Sequence, residues 1–412
     1  MTKSLAVIVF ILTLITTLGF AALFWDYGKT IPAKVNTSLT VDTSSQSTTA
    51  KPTLTSIKNK SLYMGNVFFG RYIDDWAAQS ANSELAKLAK YQAKKEDVRD
   101  FSHPFSQLQT FEPAKYHTWI AGLECPVTDQ FVDSATQDDS LNFTCLPGYI
   151  PEAAKYFDVF TLANNHIDNQ ENIGGFANTR KVLEANQIQY FGHYDNAVKD
   201  DICEVISVEA NSNYSDNSTG KVNIPVAYCG FHNVFKLTLQ SEIDIISQYS
   251  KYFPTVVMPH QGKEYVTQSD QLKQETYRKF VDAGADLVVG DHPHATQEME
   301  YYKDKMIVYS LGNFIFDQQF NSTVTSAITL DTELNLTSDT NNLQSYIDIG
   351  KDCAKFKDNC LDKAKAENLQ KPNINFEFNI VASDDSNKIT KKASSEIQTK
   401  MEQITRIRNL KR

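Results

Sequence analysis

The sequence predicts an α/β fold in which parallel strands deliver polar clusters at their carboxyl ends, and three observations predict it. Thr255 to Pro259 is a β-branched apolar run, Ser269 to Ala283 carries apolar residues at helical spacing and stops at Gly284, and Leu287 to Gly290 is a second apolar run. Strand, helix, strand in that order implies parallel pairing. Asp158 to Ala163, Gly174 to Asn186 and Gln189 to Gly192 repeat the plan. In each unit the first strand ends in residues able to bind or react: His260 in one, Asn164, Asn165 and His166 in the other. Ligands of open α/β sheets bind beyond the carboxyl ends of strands, so His260, His292 and His294 are expected on one rim. In an extended His-x-His the two rings would point to opposite faces, but Pro293 favours a loop that turns both imidazoles to one centre.

Composition bounds the rest. With 412 residues, 41% of them hydrophobic, the chain can bury a large core as one or two domains. A formal charge of -10 without a long Lys/Arg block argues against a nucleic-acid partner. Leu5 to Trp25 holds no charge, and at about 1.5 Å per residue it can cross a hydrocarbon core of about 30 Å. It is longer than the apolar part of a cleaved signal peptide, which favours an uncleaved single-pass anchor. Residues 1–4 are then cytoplasmic, residues 5–25 span the cell membrane, and the remainder is extracytoplasmic. Residues 26–60 are rich in Ser, Thr, Lys and Pro and read as a tether. The six cysteines suit an oxidising compartment. Cys203 and Cys229 can pair if their strands are neighbours, while Cys353 and Cys360 either clip a small insertion or stay as free buried thiols.

Order begins near Ser61 with a strand through Phe69 that breaks at Gly70 and Arg71, followed by a helix from Asp74 to Lys94 with Asp74 as a possible cap. His117 to Gly122 is a strand that delivers Glu124, either a solvated or capping carboxylate or a member of the rim. Ile150 to Phe157 starts with Pro151 in its first turn and reads as a short helix. Asp201 to Val208 and Val222 to Gly230 are strands separated by an Asn/Ser-rich loop, Glu209 to Gly220. Leu239 to Tyr252 is a helix, and Gln297 to Tyr302 with Met306 to Ser310 forms a hairpin. Leu311 to Phe314 places Gly312 and Asn313 just beyond it. Ala327 to Leu334 and Phe376 to Ala382 read as edge strands around a charged helical insertion at about 341–368, and residues 394–412 as a terminal helix, leaving a main domain over 61–393.

Six short motifs, Met64-Gly65-Asn66-Val67, Leu123-Glu124-Cys125-Pro126, Leu162-Ala163-Asn164-Asn165-His166, His260-Gln261-Gly262-Lys263-Glu264-Tyr265, Gly290-Asp291-His292-Pro293-His294 and Tyr309-Ser310-Leu311-Gly312-Asn313-Phe314, occur in the order of the CapA family of bacterial capsule and poly-γ-glutamate synthesis proteins. The chain resembles that family over about Leu62 to Gln318. The family is similar to calcineurin-like metallophosphoesterases, so the resemblance implies a four-layer αββα sandwich behind one N-terminal transmembrane helix. It implies Glu124, Asn165, His260, His292 and His294 as metal ligands, with His166 as acid or transition-state stabiliser. Arg71, Asn164, Glu264 and Asn313 are implied as supporting or substrate contacts. Asn66 stands where the family usually has aspartate, and an amide lacks a carboxylate's charge, so a single ion becomes more plausible than a pair. The cofactor expected is divalent Mn, Fe or Zn, one or two ions. Two functions are consistent with this: an anchored metal-dependent hydrolase or transferase of envelope-polymer synthesis, or a non-catalytic subunit that binds an anionic polymer or its synthase.

Overall fold

In the computed structural model, which describes residues 51–80, 99–353 and 360–410, one strand joins everything else. This is β1, Leu54–Val67, a 14-residue strand that starts inside the segment read as tether. Its first half pairs antiparallel with β12 (Ser326–Thr337) and β5 (Cys203–Tyr214). Its second half pairs parallel with β2 (Thr118–Leu123) and β11 (Asn313–Ile315). From β2 the parallel series continues through β3 (Val159–Thr161) to β4 (Gln189–Phe191). From β5 it passes to β6 (Thr219–His232), then in parallel through β7 (Thr255–His260) and β8 (Leu287–Val289) to β10 (Lys305–Val308), with β9 (Met299–Tyr302) as a hairpin partner of β10. On the other side β12 pairs with β13 (Asn373–Asp384), which carries the two-residue β14 (Lys391–Lys392). The result is a mixed sheet of 14 strands in which both expected strand–helix–strand units are parallel.

Alternation along the strands sorts the core into three layers. Ile120, Val159, Val256, Met258, Leu287 and Val289 face one shared interior, with Ile328 and Leu330 from β12. Their sequence neighbours turn outward: Trp119, Ala121 and Phe160 into an aromatic-rich layer under α1 (Arg71–Ser80) and α2 (Gly175–Ala185), and Val257 and Val288 into a layer under α3 (Gln240–Ser250) and α4 (Gln271–Asp282). Helices covering the outer layers of a large mixed sheet are consistent with an α/β sandwich. The insertion folds as α5 (Thr340–Asp352) and α6 (Cys360–Ala366), and the chain closes with α7 (Ser395–Thr405). Three disulfides form, Cys125–Cys145, Cys203–Cys229 and Cys353–Cys360. The second links directly paired positions of β5 and β6, a pairing that their adjacency allows.

Several boundaries differ from expectation. The segment Glu209 to Gly220 is mostly strand, not loop, because its Asn- and Ser-rich backbone pairs with the start of β1 on one side and with β6 on the other. β12 is an interior strand held by both β1 and β13. Asp74 lies inside α1 rather than capping it, and accepts hydrogen bonds from Arg99 Nε at 2.6 Å and Tyr149 Oη at 2.9 Å. Residues 81–98, which take in the remainder of that expected helix, lie outside the described residues, as does the apolar run Leu5 to Trp25. Among the described residues no helix is long and apolar enough to cross a membrane.

Candidate functional site

The site is assembled where parallel strands end. β1 and β11 bring Asn66 opposite Asn313, β2 is followed at once by Glu124, β3 leads into Asn164 to His166, and β7 ends on His260. A bridge between His260 and Asp291 aligns the segment after β8. There His292 and His294 adopt positive φ, 93° and 55°, on either side of Pro293. Non-glycine residues rarely take such φ, and two in a tripeptide mark a loop constrained by its site. Both rings turn inward, with centroids 6.1 Å apart, as the intervening proline predicts.

Two groups of side chains converge. In the first, His260 Nε2 lies 2.8 Å from Asn165 Oδ1, 3.1 Å from His292 Nδ1 and 3.2 Å from Asn164 Nδ2. One ring nitrogen carries one proton or one lone pair, so it cannot serve all three partners. In the second, His294 Nδ1 sits between Asn66 Nδ2 at 2.9 Å and Asn313 Oδ1 at 2.8 Å, a donor and an acceptor of which either tautomer satisfies one. His294 Nε2 faces Glu124 Oε1 at 3.5 Å. Both carboxylate oxygens of Glu124 and Oδ1 of Asn66 are buried without a hydrogen bond of ordinary geometry, Asn164 being the side-chain donor that acts on Glu124. Unmet acceptors at this density are rare inside proteins and point to a ligand.

Burial dominates the electrostatics. It holds His260 and His292 well below the ordinary imidazole range, each helped by the neighbouring ring, and lowers His294 to about 4. The rings are therefore neutral, the form that binds metals. Burial also pushes Glu124 well above the carboxylate range, reinforced by Asp291 and Glu264, and raises Asp291 to about 8.

His166 stands at the edge of this floor. Its Nδ1 lies 3.1 Å from Asn169 Oδ1, which also accepts from the Phe143 backbone N–H at 2.7 Å. Burial lowers His166 to about 4 against the opposing pull of Asn169. Phe143 packs between the His166 ring, 4.1 Å away, and the Arg71 guanidinium, 4.5 Å away. Arg71 is itself spent on Asp317 in a bidentate pair at 2.6 and 2.8 Å and on Asp138 at 3.1 Å, so it braces the site from behind. Glu264 is half-buried and acts on Glu124 through its charge. Sequence reasoning missed Asn169, Asp317 and His232, the last of which is paired with His260 in register. Only Asn169, three residues after His166, carried a local signal.

Among the described residues no group of three or more His, Cys, Asp and Glu side chains is placed to hold a metal ion. Amide oxygens stand among the imidazoles, with Asn165 Oδ1 2.8 Å and His292 Nδ1 3.1 Å from His260 Nε2. Imidazole nitrogens, amide oxygens and the carboxylate of Glu124 are donor types that suit divalent ions of the Mn, Fe and Zn kind.

These features define an α/β protein with a buried imidazole and amide site at the carboxyl ends of its parallel strands. The model of the bacterial capsule synthesis protein PGA_cap matches residues 60–318, more than half of the chain, and the chain belongs to that family. It is 30% identical over 192 residues to the capsule biosynthesis protein CapA of Bacillus anthracis, covering 42% of this chain and 43% of that one. It is 41% identical over 87 residues to the PGA biosynthesis protein CapA of Bacillus subtilis (strain 168), covering 21% of this chain and 23% of that one. The matches thus span less than half the length of these relatives. Among solved structures, TT1561 of Thermus thermophilus aligns over 66% of this chain and 94% of its own at 8% identity, with a TM-score of 0.32, too loose a superposition to carry fold or function over.

Proposed function

We propose that this protein acts in capsule or poly-γ-glutamate synthesis or export as a membrane-anchored, extracytoplasmic, metal-dependent hydrolase or transferase. The observation that carries the reading is Glu124, a fully buried carboxyl group that faces His294, with Asn164 as the side-chain donor acting on it, in a member of the capsule synthesis family. Glu124, His294 and Asn66, with His260, His292 and Asn165 beside them, would hold one ion of Mn, Fe or Zn. When bound, such an ion is a Lewis acid that polarises a phosphoryl or acyl oxygen. The chain's own residues supply the remainder. His166 would move a proton at its second ring nitrogen while Asn169 steadies the first. The Phe143 ring, backed by Arg71, keeps that imidazole from turning and covers one side of it.

Asn66 favours a second reading, a non-catalytic subunit that binds an anionic envelope polymer or its synthase, since an amide in this place reduces the charge available to a cation. The two readings part on one measurement. Metal content of the purified full chain is expected near one ion per chain, falling at least tenfold in His292→Ala/His294→Ala and in Glu124→Gln, with turnover of a phosphodiester or γ-glutamyl amide lost in parallel. Absence of stoichiometric metal and of turnover in the unsubstituted chain would leave the binding subunit.

A further inference from the structure

β1 and β6 both run antiparallel to β5 and therefore point the same way, so every parallel strand of the sheet ends on one face, the face that carries the site. The large apolar side chains that remain exposed among the described residues all lie in segments leaving that face. Leu141 follows β2 and Ile173 follows β3. Phe235, Leu237 and Leu239, which are 77%, 60% and 61% exposed, follow β6, and Phe320, 60% exposed, follows β11. The opposite end of the sheet is capped by polar turns such as Asp216 and Asn217, Lys303 and Asp304. Several of the apolar residues stand next to the floor of the site: Phe235 packs against His232, which neighbours His260, while Phe320 packs edge-on against Tyr265, whose ring stacks on His294. Scattered exposed apolar residues need no explanation, but their confinement to one end of a molecule does.

We infer that this face docks on a lipid bilayer, with the Phe235–Leu239 loop entering the interface. Along that loop Phe, Leu and Leu alternate with Lys236 and Thr238, the pattern of a segment that buries apolar tips while polar neighbours stay at headgroup level. The inference rests on the anchored reading above only for bringing a bilayer within reach. The stretch from Asp26 to Thr53 can extend roughly 90 Å. β1, whose start lies at the polar end, is about 46 Å long. The linker is thus long enough to run back along the domain and let the apolar face meet the same membrane. A substrate would then reach the imidazoles from the membrane surface, not from bulk water, which suits a molecule with a polar head and a hydrocarbon tail.

The test uses the full chain reconstituted in liposomes made with lipids brominated in the acyl chains, which quench tryptophan at short range. Phe235→Trp and Leu237→Trp are compared with Lys303→Trp at the opposite end, each measured as the emission added to that of Trp25, Trp76 and Trp119. The added emission of the first two is expected to fall by at least half and to shift to the blue, with that of Lys303→Trp unchanged. A chain that floats with the liposomes but whose Phe235→Trp and Leu237→Trp emission is unquenched overturns the docking and leaves the anchor standing, whether water or another protein covers the face. A chain that does not float overturns both.

Discussion

Asp385 shows how one buried side chain sets a pH dependence. It is 4% exposed and accepts from Gln319 Nε2 at 2.6 Å, and burial pushes its pKa up to about 8, against roughly 3.9 in the unfolded chain. Below about pH 4 both states hold the proton and no penalty arises. Between pH 4 and 8 the unfolded chain releases a proton that the folded chain keeps, so this residue's contribution to stability is lost as pH rises. Asp385→Asn should therefore melt close to the unsubstituted protein at pH 4 and above it at pH 8; identical pH profiles in thermal denaturation would refute this. Residues of the candidate site were legible where local chemistry betrayed them. Pro293 between two histidines, and two amides before His166, are costly unless they serve something. His232 and Asp317 were not legible, because what makes them relevant is a strand register in one case and a partner 246 residues away in the other.

At the scale of elements, a close approach of two backbone segments lies beneath the site. A Cβ on Gly65 would stand 1.8 Å from the Gly312 carbonyl oxygen, the same oxygen that accepts from the Asn66 backbone N–H at 3.1 Å. Gly65→Ala must push away the segment that carries Asn313. A loss of roughly 1–3 kcal/mol is expected in urea denaturation, as for other overpacked cores; an unaltered midpoint would mean that β1 and β11 separate freely. The strands that frame the site were legible from apolar runs bounded by turn residues. The longer arms of β5 and β6 were not. Their Asn and Ser content favours loops, yet pairing on both sides overrides propensity, and β12 gained its interior place from the same tertiary effect.

For the whole molecule, Pro52–Arg412 clusters as one unit whose interior layer is shared by strands from both halves of the sheet. Neither half can release its apolar face without exposing the other. Far-ultraviolet circular dichroism and tryptophan emission should therefore report one coincident thermal transition; two separated transitions would show that the halves melt independently. The strand–helix–strand order made the parallel arrangement legible from sequence. The stacking of layers was not, since it depends on β1 serving two sets of partners, and it was expected only through resemblance to a known family.

That double membership of β1 has a consequence for how the chain is made. Leu54–Val67 emerges from the ribosome early, whereas two of its neighbours, Asn313–Ile315 and Ser326–Thr337, emerge near the end. Contacts so distant along the chain form slowly. Synthesis thus leaves the sheet without two of β1's partners until the last quarter of the chain is available.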